Sequence, residues 1–188
     1  MSNFFILGGA IAQLLLGSPI APITELPSQP VIVAQRKTTQ NWLETARERY
    51  QANDYYAAIS GFTEAIKIKP TVEALMERSI AWSRVEEHQR ALIDINEAIR
   101  KAPKLGKLYV IRGFIYMRLN DRKNAVEDMN KGIYLEPTGT AYMSRGLVFI
   151  HFNEIDKARM DLNIAAQESK EARDMRRYNH IMELLGSI

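Results

Sequence analysis

The chain has 188 residues, of which 46% are hydrophobic and 25% are charged, and its formal net charge at pH 7 is +3. This composition is sufficient to bury one continuous core, and the small positive charge does not indicate a nucleic-acid partner. Because the chain contains no cysteine, it has no disulfide, no thiolate catalysis, no thiolate metal site and no cysteine for a lipoprotein anchor.

The N-terminal residues differ in composition from the rest of the chain. Residues 4–23 carry no charge, and residues 4–16 (FFILGGAIAQLLL) form a dense apolar stretch. Three interpretations of residues 1–23 remain open: a secretory signal cleaved after Ala21 or Ala34, an uncleaved membrane anchor, or a disordered apolar arm. The first two predict an exported protein in the periplasm, a lumen or the extracellular space, or one anchored to a membrane. Residues 24–38 are predicted to be a proline-containing linker.

The remainder of the chain is an internal repeat. Four alanines recur at steps of 33, 34 and 33 residues, namely Ala58, Ala91, Ala125 and Ala158. A second series of small residues keeps the same steps, namely Ala65, Ala98, Gly132 and Ala165. A fixed period near this length predicts a stack of helical units that each pack only on their neighbours.

Each predicted unit is a helix, a turn and a second helix. The period places the units at 39–71, 72–105, 106–138 and 139–170, and Pro70, Pro103 and Pro137 close the first three. The predicted turns within the hairpins are Asn53-Asp54, Glu86-Glu87-His88, Asn120-Asp121 and Asn153-Glu154. Residues 171–188 are predicted to be a C-terminal helix that caps the fourth unit.

The repeated residues follow the pattern W-x2-L-G-x2-Y, then A-x3-F, then P. The matching positions of the third unit are Tyr109, Arg112, Gly113, Tyr116, Ala125, Met129 and Pro137. The first unit departs most, with Thr45 and Arg49 in place of an aliphatic and an aromatic residue. The series resembles the tetratricopeptide repeat. The resemblance implies an all-α fold, a right-handed superhelical α-solenoid of antiparallel helix pairs, and a non-catalytic role as a protein-binding scaffold.

An arginine and an aspartate recur sixteen residues apart in three of the four units. The pairs are Arg78 with Asp94, Arg112 with Asp128, and Arg145 with Asp161. Each pair straddles its turn almost symmetrically, so an antiparallel helix pair would bring the two side chains together for a charge-assisted bond. The first unit has Thr45 and Gly61 at these positions. The alternative is that the arginines bind an anionic ligand.

The inner face of the first helices is the predicted partner-binding groove, because its residues are unusually apolar for a solvent-facing surface. Its predicted residues are Arg47, Met76, Ile80, Arg84, Val110, Phe114, Met117, Arg118, Met143, Leu147 and Ile150. We expect Phe114 at its centre, outside the core, with the arginines at its edges. Two alternatives are occupation by the chain's own final helix or N-terminal arm, and self-association into a homo-oligomer.

The sequence has no motif of an enzyme, and no cofactor is expected. The three histidines, His88, His151 and His180, share no helical ligand spacing, so no metal site is predicted. Some tetratricopeptide proteins bind acidic chaperone tails through a basic clamp. The corresponding positions here are Leu43, Arg47, Glu77, Lys107 and Ile111. Only two of these are basic, which does not support that activity. A partner peptide or helix is therefore the expected ligand, and the alternative is a nucleic acid or another anionic surface.

Overall fold

The computed structural model describes residues 38–188. The predicted signal or anchor and the predicted linker up to residue 37 lie outside the described residues. Within the described part, the secondary structure consists of nine α-helices. They are α1 Thr39–Gln51, α2 Tyr55–Ile68, α3 Val72–Arg84, α4 His88–Lys101, α5 Gly106–Arg118, α6 Arg122–Leu135, α7 Gly139–His151, α8 Ile155–Glu171 and α9 Met175–Ser187.

Consecutive helices pair into four antiparallel hairpins, and each hairpin packs on the next one along the chain. The first helices of neighbouring hairpins also touch, both between α3 and α5 and between α5 and α7. The described residues therefore form an all-α solenoid whose first helices line one continuous face. We call this face the groove.

Each hairpin turn contains one residue with a left-handed backbone. These residues are Asn53, Glu86, Asn120 and Asn153, and Arg173 occupies the same kind of turn between α8 and α9. Asparagine tolerates this conformation better than most residues, because its short polar side chain can hydrogen-bond locally. The turn predicted at Asn120-Asp121 is completed by Asp121, whose carboxylate accepts the backbone N–H of Asn124 and begins α6.

Threonine caps the first helix of three hairpins. The side chains of Thr38, Thr71 and Thr138 each accept a backbone N–H three residues further on. Helix α5 begins after Leu105, which has no capping oxygen. Its first backbone N–H, at Gly106, is instead bonded to Glu136 at 2.8 Å. The first turn of α5 is thus capped by the side chain of the residue that follows α6.

The predicted small-residue series forms the centre of the stack. The alanines Ala58, Ala91, Ala125, Ala158, Ala65, Ala98 and Ala165 are all 0% exposed. At the C-terminal end, Ile181 of α9 is buried against Leu162 and Ala165 of α8. Helix α9 therefore covers the last hairpin, as a terminal cap of a repeat array must. None of the helices in residues 38–188 has the length and apolar character needed to cross a membrane.

Candidate functional site: the groove of the first helices

The predicted arginine–aspartate pairs are confirmed. Arg112 donates from Nε to Oδ2 of Asp128 at 2.7 Å and from Nη2 to Oδ1 at 2.8 Å. Its third nitrogen, Nη1, donates to Oδ1 of Asn96 in the preceding hairpin at 2.6 Å. Arg78 and Arg145 repeat the arrangement with Asp94 and Asp161, and Nη1 reaches Thr63 and Asn130. We call these three arginines the ladder, because each joins two helices of one hairpin to its neighbour.

Each of the three guanidinium nitrogens of every ladder arginine already donates a hydrogen bond within the fold. The hydrogen bond to Asp128, opposed by partial burial, raises the pKa of Arg112 above its ordinary value. Tyr109 and Tyr116 lie 5.6 and 5.9 Å from the same guanidinium group, within the range of cation–π attraction. The ladder is therefore part of the fold, and an anionic ligand would have to displace an aspartate to reach it.

A groove cavity of about 430 Å³ lies between α3 and α5. Most of its lining is apolar, and the polar groups stand at one end of the two helices. The lining residues are Ile80, Ser83, Arg84, Ile111, Phe114, Ile115, Met117 and Arg118. We call it the central cavity. Its volume falls within the range of sites that hold small molecules or anchoring side chains.

A second cavity of about 220 Å³ lies between the first and second hairpins. Its lining residues are Arg47, Tyr50, Gln51, Phe62, Glu77 and Ile80. Because Ile80 lines both cavities, the two lie next to each other on the groove. We call the second cavity the N-terminal cavity.

The two cavities differ in charge. In the N-terminal cavity, Arg47 donates from Nε and Nη2 to Glu77 at 2.9–3.0 Å, and Nη2 also reaches Glu73. The hydrogen bond to Glu77 is the main reason that the pKa of Arg47 is raised. The cavity therefore contains its own counter-ion. It follows that Arg47 is already neutralised before any partner arrives.

In residues 38–188, two arginines and no carboxylate line the central cavity. Arg84 donates from Nε to the hydroxyl of Tyr50 at 2.9 Å, and this bond raises the pKa of Arg84. Arg118 makes no ion pair or side-chain hydrogen bond with any residue in the described part of the chain, and its side chain is exposed. Two positive groups thus stand beside an apolar floor without an anion.

The structure distributes the predicted groove residues over several environments. Five of them line the central cavity, namely Ile80, Arg84, Phe114, Met117 and Arg118. Arg47 lines the N-terminal cavity. Val110 lies in a separate pocket of about 80 Å³ beside Gly106 and Gly132. Met76, Met143 and Ile150 are half-buried against core clusters, and Leu147 is also half-buried.

Phe114 is a groove residue, as predicted, and it also contacts the core. Phe114 packs against the cluster of Ala125, Met129 and Val148, so it joins the third and fourth hairpins while also lining the central cavity. Ile80, by contrast, lines both cavities and belongs to none of the core clusters of the described residues. Ile80 and Leu147 are therefore the two predicted apolar groove residues that belong to no core cluster of the described residues.

Sequence reasoning missed Phe62, Ser83 and Ile115 as groove residues. Phe62 and Ile115 are 2% and 1% exposed, and they form the floor of the cavities rather than their walls. Their apolar character indicates only burial, so no sequence signal distinguishes them from other core residues. Ser83 could have been found, because it precedes Arg84 at the end of α3.

The clamp positions of the chaperone-binding relatives are not assembled as a basic cluster. Leu43 is 2% exposed and belongs to the core of the first hairpin. Arg47 is paired with Glu77, which itself occupies a clamp position.

Within residues 38–188, no three histidine, aspartate or glutamate side chains come together as a metal site.

Comparison with known proteins agrees with this geometry. A family model described as "Tetratricopeptide repeat" matches residues 106–138. The small glutamine-rich tetratricopeptide repeat-containing protein 2 of Mycosarcoma maydis is 31% identical over 97 residues, which cover 51% of this chain and 27% of that protein. The chain thus spans about a quarter of this relative.

Two solved structures show the same fold. The crystal structure of MamA has a TM-score of 0.63 and 20% identity, covering 75% of this chain and 84% of that one. The first repeat domain of Spaghetti (RPAP3), bound to the HSP90 peptide SRMEEVD, has a TM-score of 0.54 and 21% identity, covering 67% and 94%. The repeat period, the hairpin stack and these similarities agree. Residues 106–138 therefore match a tetratricopeptide repeat, and the described residues have the fold of tetratricopeptide repeat structures, with four helical hairpins followed by a capping helix.

Proposed function

We propose that the chain is an adaptor or assembly factor that binds a helix or extended peptide of a partner protein in its groove. The observation that carries this proposal is the central cavity, where five apolar side chains line an open depression of about 430 Å³ on the inner face of the solenoid. An exposed apolar depression of this kind is typical of an interaction site. The similar repeat domain of Spaghetti (RPAP3), solved with a bound peptide, supports the same use of the fold.

The partner segment would lie across α3 and α5 and continue toward α1. The two cavities adjoin at Ile80, so a segment longer than one anchoring side chain would contact both. Met117 suits such a surface, because an unbranched thioether can repack around partners of different shape.

The proposal places the complex at or beyond a membrane because of residues 4–23. Their uncharged, apolar sequence would export the repeats or anchor them. Mass spectrometry of the mature native protein distinguishes these routes. An N-terminus after residue 21 or 34 means export, and an intact apolar segment in the membrane fraction means anchoring. An intact chain recovered only from the soluble fraction would contradict the membrane location.

Site-specific photo-crosslinking in native cells tests the groove. A photoreactive residue at position 80, inside both cavities, should capture a protein partner, and mass spectrometry should locate the crosslinked segment. The matched control is position 93 on α4, where Ile93 is 66% exposed and lines neither cavity. Equal capture from both positions, or capture from position 93 alone, would move the site away from the groove.

The alternative of a nucleic acid or anionic surface is separable by salt. A protein with six phosphate contacts loses about a thousandfold in affinity between roughly 50 and 200 mM salt. The central cavity offers two arginines beside apolar residues, so its complexes should lose no more than about tenfold over the same range. A far steeper loss would favour the alternative.

A further inference from the structure

We infer that the partner segment is acidic as well as apolar, and that side-chain carboxylates within it bind Arg84 and Arg118 while a large apolar residue fills the central cavity. This inference rests on the proposed function and specifies the chemistry of the partner. It concerns an internal segment of the partner rather than a free C-terminus.

The central cavity is positively charged. Among the described residues, two guanidinium groups line it and no carboxylate does. Elsewhere on the same face, Arg47 has Glu77 and Glu73 as partners. A guanidinium group presents a fork of N–H donors that matches a carboxylate. Arg118 uses none of its donors within residues 38–188, and Arg84 uses one, on Tyr50. Both therefore retain the capacity to bind an anion.

The two cavity arginines also occupy equivalent positions in consecutive repeats. The last residues of the four first helices are Gln51, Arg84, Arg118 and His151. They recur at the period of the repeat, so they form one row along the groove, and the two arginines are its central members. A cation at a helix C-terminus is favourable by itself, because it lies at the negative end of the helix dipole. That effect requires only a positive charge near the helix end, and it does not require both arginines to line the same apolar cavity.

The row also predicts a spacing in the partner. Packed helices lie about 8–10 Å apart, so we expect Arg84 and Arg118 to be separated by a comparable distance along the groove. An extended chain covers this distance in about three residues, at roughly 3.3 Å each. A helix covers it in about six or seven, at roughly 1.5 Å each. The expected motif is therefore a large apolar residue between two acidic residues at one of these spacings.

Two other occupants fit less well. The chain's own residues 4–23 carry no charge, so they would cover the apolar floor and leave both arginines without an anion. An acidic chain terminus would require the basic clamp, where Leu43 is buried and Arg47 is paired with Glu77. The observations therefore favour acidic side chains inside a partner segment.

Selection from a random library of twelve-residue peptides displayed on phage provides the probes. The full-length protein is the bait, and each displayed peptide continues into the phage coat protein, so it has no free C-terminal carboxylate. We expect enrichment of sequences with a large apolar residue flanked by aspartate or glutamate. Enrichment of uncharged apolar sequences similar to residues 4–16 would overturn the inference in favour of self-occupation.

The strongest binder is then synthesised with an amidated C-terminus, together with a version in which asparagine and glutamine replace its acidic residues. The protein variants are Arg84→Gln/Arg118→Gln and the matched control Arg49→Gln/Arg100→Gln. The control arginines are exposed and line neither cavity. The cavity variant should bind the acidic peptide about tenfold more weakly in fluorescence anisotropy. It should bind the asparagine/glutamine version of the peptide as the wild type does. The control variant should bind both peptides like the wild type.

The outcomes separate the two proposals. The inference fails, and groove binding stands, if the cavity variant and the control lose affinity equally. It also fails if the wild type binds the acidic peptide and its asparagine/glutamine version equally. If Ile80→Gln leaves the binding of every selected peptide unchanged, or no peptide is selected, the proposed function fails. Concentration-dependent self-association that competes with the peptide would identify a second copy as the occupant and also overturn the inference.

Discussion

Two sets of arginines on the same helices differ completely in their surroundings. The ladder arginine Arg112 and the cavity arginine Arg118 both belong to α5 and are six residues apart, which places them about 120° apart around the helix. Arg112 makes three hydrogen bonds to two residues of other helices. Arg118 makes none with the described residues. The helix face, rather than the residue type, decides whether an arginine stabilises the fold or remains available to a partner.

The ladder stabilises because every member is satisfied. The side chain of Asp128 is 7% exposed and accepts both of its bonds from Arg112. A buried carboxylate that loses its partner retains the full cost of desolvation, so the pair is strong only while it is intact. The first hairpin has no such pair, and Gly61 there contacts Ala46 so closely that an added Cβ would lie 2.9 Å from the Cβ of Ala46.

The largest expected loss of stability comes from placing only the aspartate of a ladder pair in the first hairpin. Gly61→Asp would press a side chain against Ala46 and bury a carboxylate without a partner. Overpacking and the unpaired charge together should lower the free energy of unfolding by about 2–4 kcal/mol. Urea denaturation followed by circular dichroism measures it.

The complete graft is the control. Thr45→Arg/Ala46→Gly/Gly61→Asp supplies the arginine and the small residue that the third and fourth repeats have at Gly113 and Gly146. It should recover most of the lost stability. A triple variant as unstable as Gly61→Asp alone would show that the ladder depends on features of the later hairpins beyond these three positions.

The next effect compares the two arginines of α5 directly. Arg112→Ala leaves Asp128 buried and unpaired, so it should lower the free energy of unfolding by about 1–3 kcal/mol. Arg118→Ala removes the same side chain from an exposed site where it bonds to no other described residue, so it should change the free energy of unfolding by less than about 0.5 kcal/mol. Equal losses in urea denaturation would remove the distinction between the two sets.

A double-mutant cycle identifies the cause of the Arg112 effect. Arg112→Ala/Asp128→Ala removes both charges, so it should be less destabilised than the sum of the two single variants. Additive losses would mean that Arg112 acts through its packing between Tyr109 and Tyr116 rather than through Asp128.

The sequence predicts the ladder better than the groove, for a physical reason. Residues equidistant from a turn must meet in an antiparallel hairpin, so the sixteen-residue spacing of Arg112 and Asp128 is sufficient. The repeat period likewise predicts the hairpins and the buried alanines such as Ala125. A groove residue depends on how one hairpin is placed against the next. This placement is not encoded in a spacing, so Phe114 and Val110 could not be assigned to the cavity, the core or another pocket.

The pairing of Arg47 shows the same limit. Its partner Glu77 lies 30 residues away in the next hairpin, close to the repeat period but on a different turn of the helix. Many residues satisfy such a separation, so it does not distinguish a partner. The sequence therefore identified Arg47 as a groove arginine and did not show that it is already neutralised.

The smallest expected effect concerns an exposed pair that also joins neighbouring hairpins. Arg122 of α6 donates from Nε to Glu154 at 2.6 Å, and Lys157 donates to the same carboxylate. The hydrogen bonds from Arg122 and then Lys157 lower the pKa of Glu154 from 4.5 to about 2. The side chain of Arg122 is 51% exposed, so solvent screens the interaction and the gain in stability should be well below that of a ladder pair.

The pH dependence tests this ranking. Because the pKa of Glu154 is lower in the folded state, its contribution is fully present above pH 4.5 and is lost as the pH falls toward 2. Glu154→Gln should therefore have a slightly lower urea midpoint than the wild type at pH 6, and the two midpoints should converge near pH 2. Salt should reduce the difference at pH 6, because an exposed pair is screened. A difference that persists at pH 2 would mean that Glu154 stabilises the junction by packing rather than by charge. A loss at pH 6 as large as that of Arg112→Ala would mean that exposed and buried pairs contribute equally to this solenoid.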